Sequence, residues 1–499
     1  MMTPEASYNS LLSHYRKITA LEQISEILSW DQQTVMPKKG GKNRAVQLSN
    51  LSGVIHALRT DPKIPDYIDA AKPLKSESDS ILANLEEAKK QYTRSNLVPL
   101  KLCEELALTT CLTQESWLEA KKRNDFSLFL PKLEEMVTLK QSEADCLRQP
   151  GTKRYDMLLN DFEPEENSKN LKELFSDLKP KLIELRDKVL SSRTTIPKLT
   201  GFYSETKQLV MAAKIAQSLG YDFSAGRIDQ TEHPFCSGSN ADDIRITTRI
   251  DEKDPFYCLF AIMHETGHAL YEQGIPKKMA YEPIGSYASM GVHESQSRLI
   301  ENHIGRSATF CEYTAHLLKK IFSEVPFSNA NELFKMVNKV KNGFIRTEAD
   351  ELTYDLHIML RFELEEKLIE GSLKPKLLEE AWNAKFLKDF GIAVQNSSQG
   401  VLQDIHWSTG AFGYFPTYTI GNIYAACLHE KINTISTNTE EKMSLGDISS
   451  IRIWLKNNIH KHGRKLGARD LIEKATGKKI SVQPLLNHLK TKFSRIYEF

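Results

Sequence analysis

Apolar residues recur at three- and four-residue spacing along most of this chain, the period of helices that lie with one face on a core. Tyr8, Leu11, Leu12, Tyr15, Ile18, Leu21, Ile24, Ile27 and Leu28 mark one such face near the N-terminus. The same period runs through 80–120, 128–147, 168–192, 205–219, 310–322, 331–345, 350–370, 375–390 and 449–461. Extended structure is suggested in one place only. Asp243–Ile250 alternates polar and apolar residues with β-branched side chains, as a half-buried strand does. It follows a loop over His233–Asn240 and precedes a strongly apolar helix. The pattern therefore predicts a mainly α fold with a small β-sheet beside that helix, whose edge could hold an extended peptide by main-chain hydrogen bonds.

Length and charge narrow the field. The 499 residues can bury a large core, and the expectation is a single helical domain, 1–499, built as two lobes around a deep cleft. Its functional core is expected over about 233–420. Lys plus Arg (66) and Asp plus Glu (65) nearly cancel, so neither nucleic acid nor an anionic membrane is an expected partner. The seven cysteines are scattered without CxxC pairs, which fits reduced thiols rather than a disulfide framework or a cysteine–zinc site. The opening residues lack a signal-peptide layout, and no apolar run reaches the length of a membrane span. A cytoplasmic protein is expected.

The apolar helix carries the chemistry. Pro255–Tyr271 has no internal proline and closes with Gly274 and Pro276, and within it lies His264-Glu265-Thr266-Gly267-His268. Residues four apart share a helix face, so His264 and His268 can turn their imidazoles toward one cation, zinc above all. Glu265 can then reach a water acidified by that cation and act as general base, the logic of metal-assisted peptide hydrolysis. Two histidines and a glutamate in so apolar a helix need partners, and a cation supplies them. Tyr271 and Gly274 stand where a metzincin would have Gly and His, which excludes that class. The third ligand is sought in a second helix over Gly291–Asn302. Glu294, 26 residues after His268, is favoured on spacing, with His293, Glu301 and His303 as competitors. Glu301, two turns further on, reads equally as an outer partner or a surface residue.

These residues resemble the M32 metallocarboxypeptidases of the carboxypeptidase Taq type. The likeness covers His233-Pro234-Phe235, Asp243–Thr247, His264–His268, His293–Gln296, Ile345–Asp350 and Gly400–Trp407 in order. It implies an almost wholly helical homodimer with a deep cleft, in which His264, His268 and Glu294 hold zinc or cobalt and Glu265 is the base. It further implies release of single residues from peptide C-termini with broad side-chain tolerance.

An exopeptidase must grip a free terminal carboxylate, and arginine does this best through its planar donor pair. Arg346 is the first candidate, with a local salt bridge as its alternative. Arg245 is the second, and could instead brace Asp243. His406 and Tyr418 lie in a glycine- and aromatic-rich segment that reads as a cavity-lining loop, and could donate to a developing oxyanion. Gln403 and Asp404 could orient a ligand or substrate, and His233 could touch substrate or only cap the strand. The competing enzyme reading is a helical HExxH oligopeptidase that cuts internally or releases dipeptides. The competing non-enzyme reading is a metal-binding scaffold, against which the presence of Glu265 argues.

Overall fold

Thr3 accepts a hydrogen bond from the Ala6 amide and Pro4 presets the first turn, so the chain begins as a 31-residue helix, Pro4–Thr34. The computed structural model describes residues 2–76, 78–231, 233–435 and 438–499, with side chains described at all of these except 45, 76, 111 and 239. Helices dominate throughout, as the periodicity predicts. Among the described residues no helix is long and apolar enough to cross a membrane.

Contacts divide the chain into two units whose segments alternate in sequence. The first comprises Met1–Asn96, Ile196–Val337 and Tyr424–Ile480. In it Leu11, Tyr15 and Ile18 pack with Ile64, Ile68, Ala71, Leu85 and Ala88. The apolar pattern of that first helix overstates its core face, since Ile24 and Ile27 stand 47% and 38% exposed. Where one continuous pattern was expected over 80–120, the chain makes two helices, Asp79–Leu97 and Leu100–Arg123. Pro99 explains the break, because the residue before a proline is pushed out of helical geometry.

The first unit also holds the sheet. It has three strands, β1 (Gly226–Gln230), β2 (Cys236–Asn240) and β3 (Asp243–Thr248), in the order β1-β3-β2. β1 runs parallel to β3, and β2 antiparallel to it. Ile244 and Ile246 of the central strand are buried. The expected strand is thus β3, ending at Thr248, but the expected loop over 233–240 contains β2. Its sequence, Cys-Ser-Gly-Ser-Asn, has low strand propensity, and its extended form comes from pairing with β3. β2 passes close over its neighbour: a Cβ at Gly238 would lie 2.2 Å from Ile244 Cδ1.

The second unit comprises Leu97–Thr195, Asn338–Ile423 and Ser481–Phe499. Its central helix, Tyr354–Ile369, is buried almost all round, polar residues included. Glu365 accepts there from Tyr155 Oη, Trp407 Nε1 and the Gly413 amide, at 2.5, 3.1 and 3.1 Å. The helix expected over 331–345 stops in the first unit as Ala330–Val337, and 339–345 is irregular.

Elsewhere in this unit Glu351 accepts from His488 Nε2 at 2.8 Å and from Lys492 Nζ at 2.6 Å. Burial pushes its carboxyl up, but Lys492 and His488 outweigh burial and hold it down at about 2, against an ordinary 4.5. A depressed carboxyl stabilises the fold fully above its unfolded pKa and loses that contribution as pH falls toward the folded one. Acidification from pH 5 to 2 should therefore remove roughly 3 kcal/mol at this group alone. Glu351→Gln should destabilise the protein by a similar amount at pH 7 and flatten the acid limb, as read by urea unfolding at a series of pH values.

Candidate metal centre

Asp254 caps the helix Pro255–Gly274 by accepting from the Phe256 amide, and Pro255 occupies its first turn. The helix runs through the interior of the first unit, with Cys258, Leu259, Ile262, Met263 and Ala269 fully buried. Beside it lies the helix Met290–Arg298, capped by Ser289. Gly267 is what lets the two approach. A Cβ there would sit 2.5 Å from both Gln296 O and Ser297 Cα.

That approach brings His264, His268 and Glu294 together, with one ligand atom of each within 4.8 Å of the others. Glu294 Oε2 lies 3.5 Å from His264 Nε2 and 3.3 Å from His268 Nε2. The far side of each ring is occupied. His264 Nδ1 faces Glu301 Oε2 at 3.0 Å, and His268 Nδ1 faces the His293 carbonyl at 3.1 Å. With Nδ1 held this way, both Nε2 lone pairs are directed at the space shared with Glu294. Burial, with His293 adding to it, lowers the His268 pKa to about 3, so this ring is neutral and able to donate. Burial also works to lower the His264 pKa, but Glu294 and Glu301 outweigh it and raise that pKa. Glu294 is held well below the usual carboxylate range: burial pushes it up, and Arg298 and His264 override burial. Arg298 Nε donates to Glu294 Oε1 at 2.7 Å, and Ser297 Oγ lies 3.1 Å from Oε2. Two imidazoles and a carboxylate converging in a buried place, each fixed from behind, fit a divalent cation such as zinc, with a coordination position left over.

Glu265 adjoins this group and is 6% exposed. Burial pushes its carboxyl up to about 7, against the opposing pull of His264.

The competitors for the third ligand fall elsewhere. His293 stacks on His268, ring centroids 4.3 Å apart, and turns Nε2 to Glu272 at 2.9 Å. His303 is buried with its ring 4.7 Å from that of His429. Glu301 is the outer partner of His264, the role the sequence left open for an acidic residue. Asp404 lies in the second unit, where it accepts from Arg346 and Arg361. Arg298 and Ser297 were not anticipated: a cation four residues after a glutamate reads as an ordinary helix-surface pair.

Of the substrate-binding candidates, Arg245 lies on β3 in the first unit. Its Nε and Nη2 donate to the two oxygens of Asp243, both at 2.8 Å, and its guanidinium sits over the Trp30 ring. His233 is exposed just ahead of β2. The second unit gathers Arg346, His406 and Tyr418. Arg346 is buried, and its Nε and Nη2 donate to Asp404 Oδ1 at 2.9 and 2.8 Å while Nη1 donates to Tyr354 Oη at 2.8 Å. Gln403 Oε1 accepts from the Arg346 amide. Arg361 takes the other oxygen of Asp404 at 2.6 Å. Two guanidinium charges thus share one carboxylate. His406, 3.2 Å from Tyr418 Oη, adds none, because burial and then Arg346 lower its pKa to about 3. The segment expected as a loop is a short 3₁₀ turn, His406–Thr409, followed by the helix Pro416–Ile435, which carries Tyr418 in its first turn.

A mainly helical protein whose HExxH helix receives a glutamate from the next helix is a metallopeptidase. The family profile described as carboxypeptidase Taq (M32) metallopeptidase matches residues 10–493, and the chain belongs to that family. It is 38% identical to thermostable carboxypeptidase 1 of Thermus thermophilus over 99% of this chain and 100% of that one. Carboxypeptidase 1 of Bacillus subtilis is 35% identical over 97% and 96%. Among solved structures, the M32 carboxypeptidase from Deinococcus radiodurans superposes with a TM-score of 0.92 at 32% identity, covering 99% of this chain and 100% of that one. Metallocarboxypeptidase 1 of Trypanosoma cruzi gives 0.93 at 32%, covering 98% and 99%. The protein is a metal-dependent carboxypeptidase.

Proposed function

We propose that the chain releases single amino acids from the free C-termini of peptides, with His264, His268 and Glu294 holding zinc and Glu265 acting as general base. The observation that carries this reading is the approach of Glu294 Oε2 to both imidazole Nε2 atoms, 3.5 and 3.3 Å away, with both Nδ1 atoms already engaged. Held by these three residues, a divalent cation would supply Lewis acidity toward the scissile carbonyl and water. Glu265 takes the proton of the attacking water and passes it to the departing nitrogen, the dual role of a general acid–base group. The same donor set accepts cobalt.

Arg346 is proposed as the anchor for the terminal carboxylate. Support comes from the charge balance around Asp404, where Arg346 and Arg361 together leave positive charge over. His406 and Tyr418 are proposed as polar contacts to the substrate. β2, an edge of the sheet, is proposed to take the extended peptide backbone, with Arg245 bracing that sheet through Asp243 and His233 at the entry to the strand. Arg346→Ala should lower kcat/KM on free-carboxylate peptides about 100-fold, within the cost of removing one partner of a buried charge contact. It should do far less to the slow cleavage of C-terminally amidated ones. A mass-spectrometric time course gives the readout. A ladder losing one C-terminal residue at a time is expected, whereas internal cuts, or equal cleavage of amidated peptides by the wild type, would replace this reading with the oligopeptidase one.

We also propose a cytoplasmic homodimer, the same catalytic domain serving in each copy. Cys146, Cys236 and Cys258 are free thiols, as a reducing compartment allows. Leu100, Leu108 and Leu112 stand exposed along one helix and offer apolar surface for a second copy. Sedimentation of the wild type and of a Leu108→Lys variant tests the dimer.

A further inference from the structure

From the proposed ligand Glu294 runs a ladder of four charged side chains, Glu294, Arg298, Glu301 and Arg306, along one helical stretch and the residue that closes it. Signs alternate, and the spacings are four, three and five residues. Arg298 Nε donates to Glu294 Oε1 at 2.7 Å and its Nη1 reaches Glu301 Oε2 at 3.4 Å. Arg306 Nη2 donates to Glu301 Oε1 at 3.2 Å.

Spacings of four and three bring side chains together on an α-helix; a spacing of five does not. It does here because Leu299–Gly305 is wound as a π-helix, whose register is i to i+5. The wider turn carries Arg306 round beneath Glu301. Arg306 is itself fastened, with Nη1 donating to the Val337 carbonyl and the guanidinium 3.6 Å over the Phe260 ring. The turn also presses on the metal helix, for a Cβ at Gly305 would meet Met263 Sδ at 2.4 Å.

A carboxylate has two oxygens and can present either or both to a cation. Arg298 occupies Oε1, so Oε2 is the oxygen left facing His264 and His268. The same guanidinium steadies Glu301, whose Oε2 holds His264 Nδ1. One residue therefore touches one ligand, Glu294, directly and the outer partner of a second, His264. We infer that Arg298 is a positioning residue of the metal centre, making Glu294 a one-oxygen ligand, and that the π-helical turn serves to anchor this ladder through Arg306. The inference rests on the ligand set proposed above.

The test uses metal-free full-length protein, titrated with zinc against a competing chelating dye and with cobalt followed by its visible absorption. Arg298→Gln should weaken zinc binding about 10- to 100-fold, the usual cost of losing an outer partner. It should also shift the cobalt bands, because Glu294 is then able to bring its second oxygen to the ion. Arg298→Lys, which keeps the charge but not the two-pronged reach, should recover part of the affinity without restoring the bands. Should Arg298→Gln not fold, Arg298→Lys decides, and wild-type bands in it count against the inference. Wild-type affinity and wild-type bands in Arg298→Gln overturn it. Glu294→Gln separates the two layers: if it binds zinc as the wild type does, the ligand set is wrong. If it loses zinc while Arg298→Gln does not, only the role of Arg298 falls.

Discussion

Glu265→Gln should cut kcat by about 10²- to 10⁴-fold, the range assigned to a general acid–base group, while leaving the metal content per chain unchanged. Glu265 is outside the convergent group of His264, His268 and Glu294, so the substitution keeps every proposed ligand. It also keeps the shape of the side chain. What it removes is the capacity to accept a proton; in the metal-free protein burial pushes that carboxyl up to about 7. The same shift has a consequence for stability. A carboxyl with its folded pKa raised from 4.5 to about 7 binds its proton more tightly in the folded state. Metal-free protein should then lose stability as pH rises from 4.5 through 7, by roughly 3 kcal/mol from this group. Metal-free Glu265→Gln should lack that loss and be the more stable of the two at pH 8. Urea unfolding of the metal-free pair, beside steady-state kinetics and metal analysis of the loaded pair, reads all three expectations. Near-wild-type turnover in Glu265→Gln would take this residue out of the chemistry.

The metal helix was legible because its chemistry is local. Two histidines one helical turn apart, an adjacent glutamate and an apolar setting state a function within twenty residues. Glu294 is legible at one remove, through the spacing and resemblance that favour it over Glu301. What escaped was whatever depends on pairing across the chain. β2 carries no alternation and is extended only because β3 lies beside it. Asp404 lies 58 residues from Arg346, so no local pattern could name it as the partner that buries that guanidinium. Arg306 reaches Glu301 only through a π-helical turn, which an α-helical period cannot register. The N-terminal stripe failed in the opposite sense. Ile24 and Ile27 continue the periodicity but remain half-exposed, since a periodic face is covered only where something packs on it.

Gly267→Ala is expected to remove metal and activity together, although local propensity argues the other way. Glycine inside a helix costs about 1 kcal/mol relative to alanine, so the substitution ought to stabilise an isolated helix. Here the added Cβ would meet backbone of the neighbouring helix, Gln296 O and Ser297 Cα at 2.5 Å and Ser297 N at 2.8 Å. Backbone atoms cannot rotate aside as a side chain can, so the helix Met290–Arg298 must move outward or Pro255–Gly274 must bend. Overpacking of this kind costs about 1–3 kcal/mol, more than the propensity gain returns. Either displacement carries Glu294 away from the two imidazoles. A shift of about 1 Å at a positioned group is enough for a 10²-fold loss, and zinc affinity and kcat/KM should both fall by at least about that factor. The effect should exceed that of Arg298→Gln, which leaves the helix crossing in place. Metal retained after dialysis and urea unfolding of the metal-free protein give the two readouts. If Gly267→Ala keeps its metal and gains about 1 kcal/mol, the crossing has room for a methyl group, and the close approach at Gly267 is not what delivers Glu294 to the site.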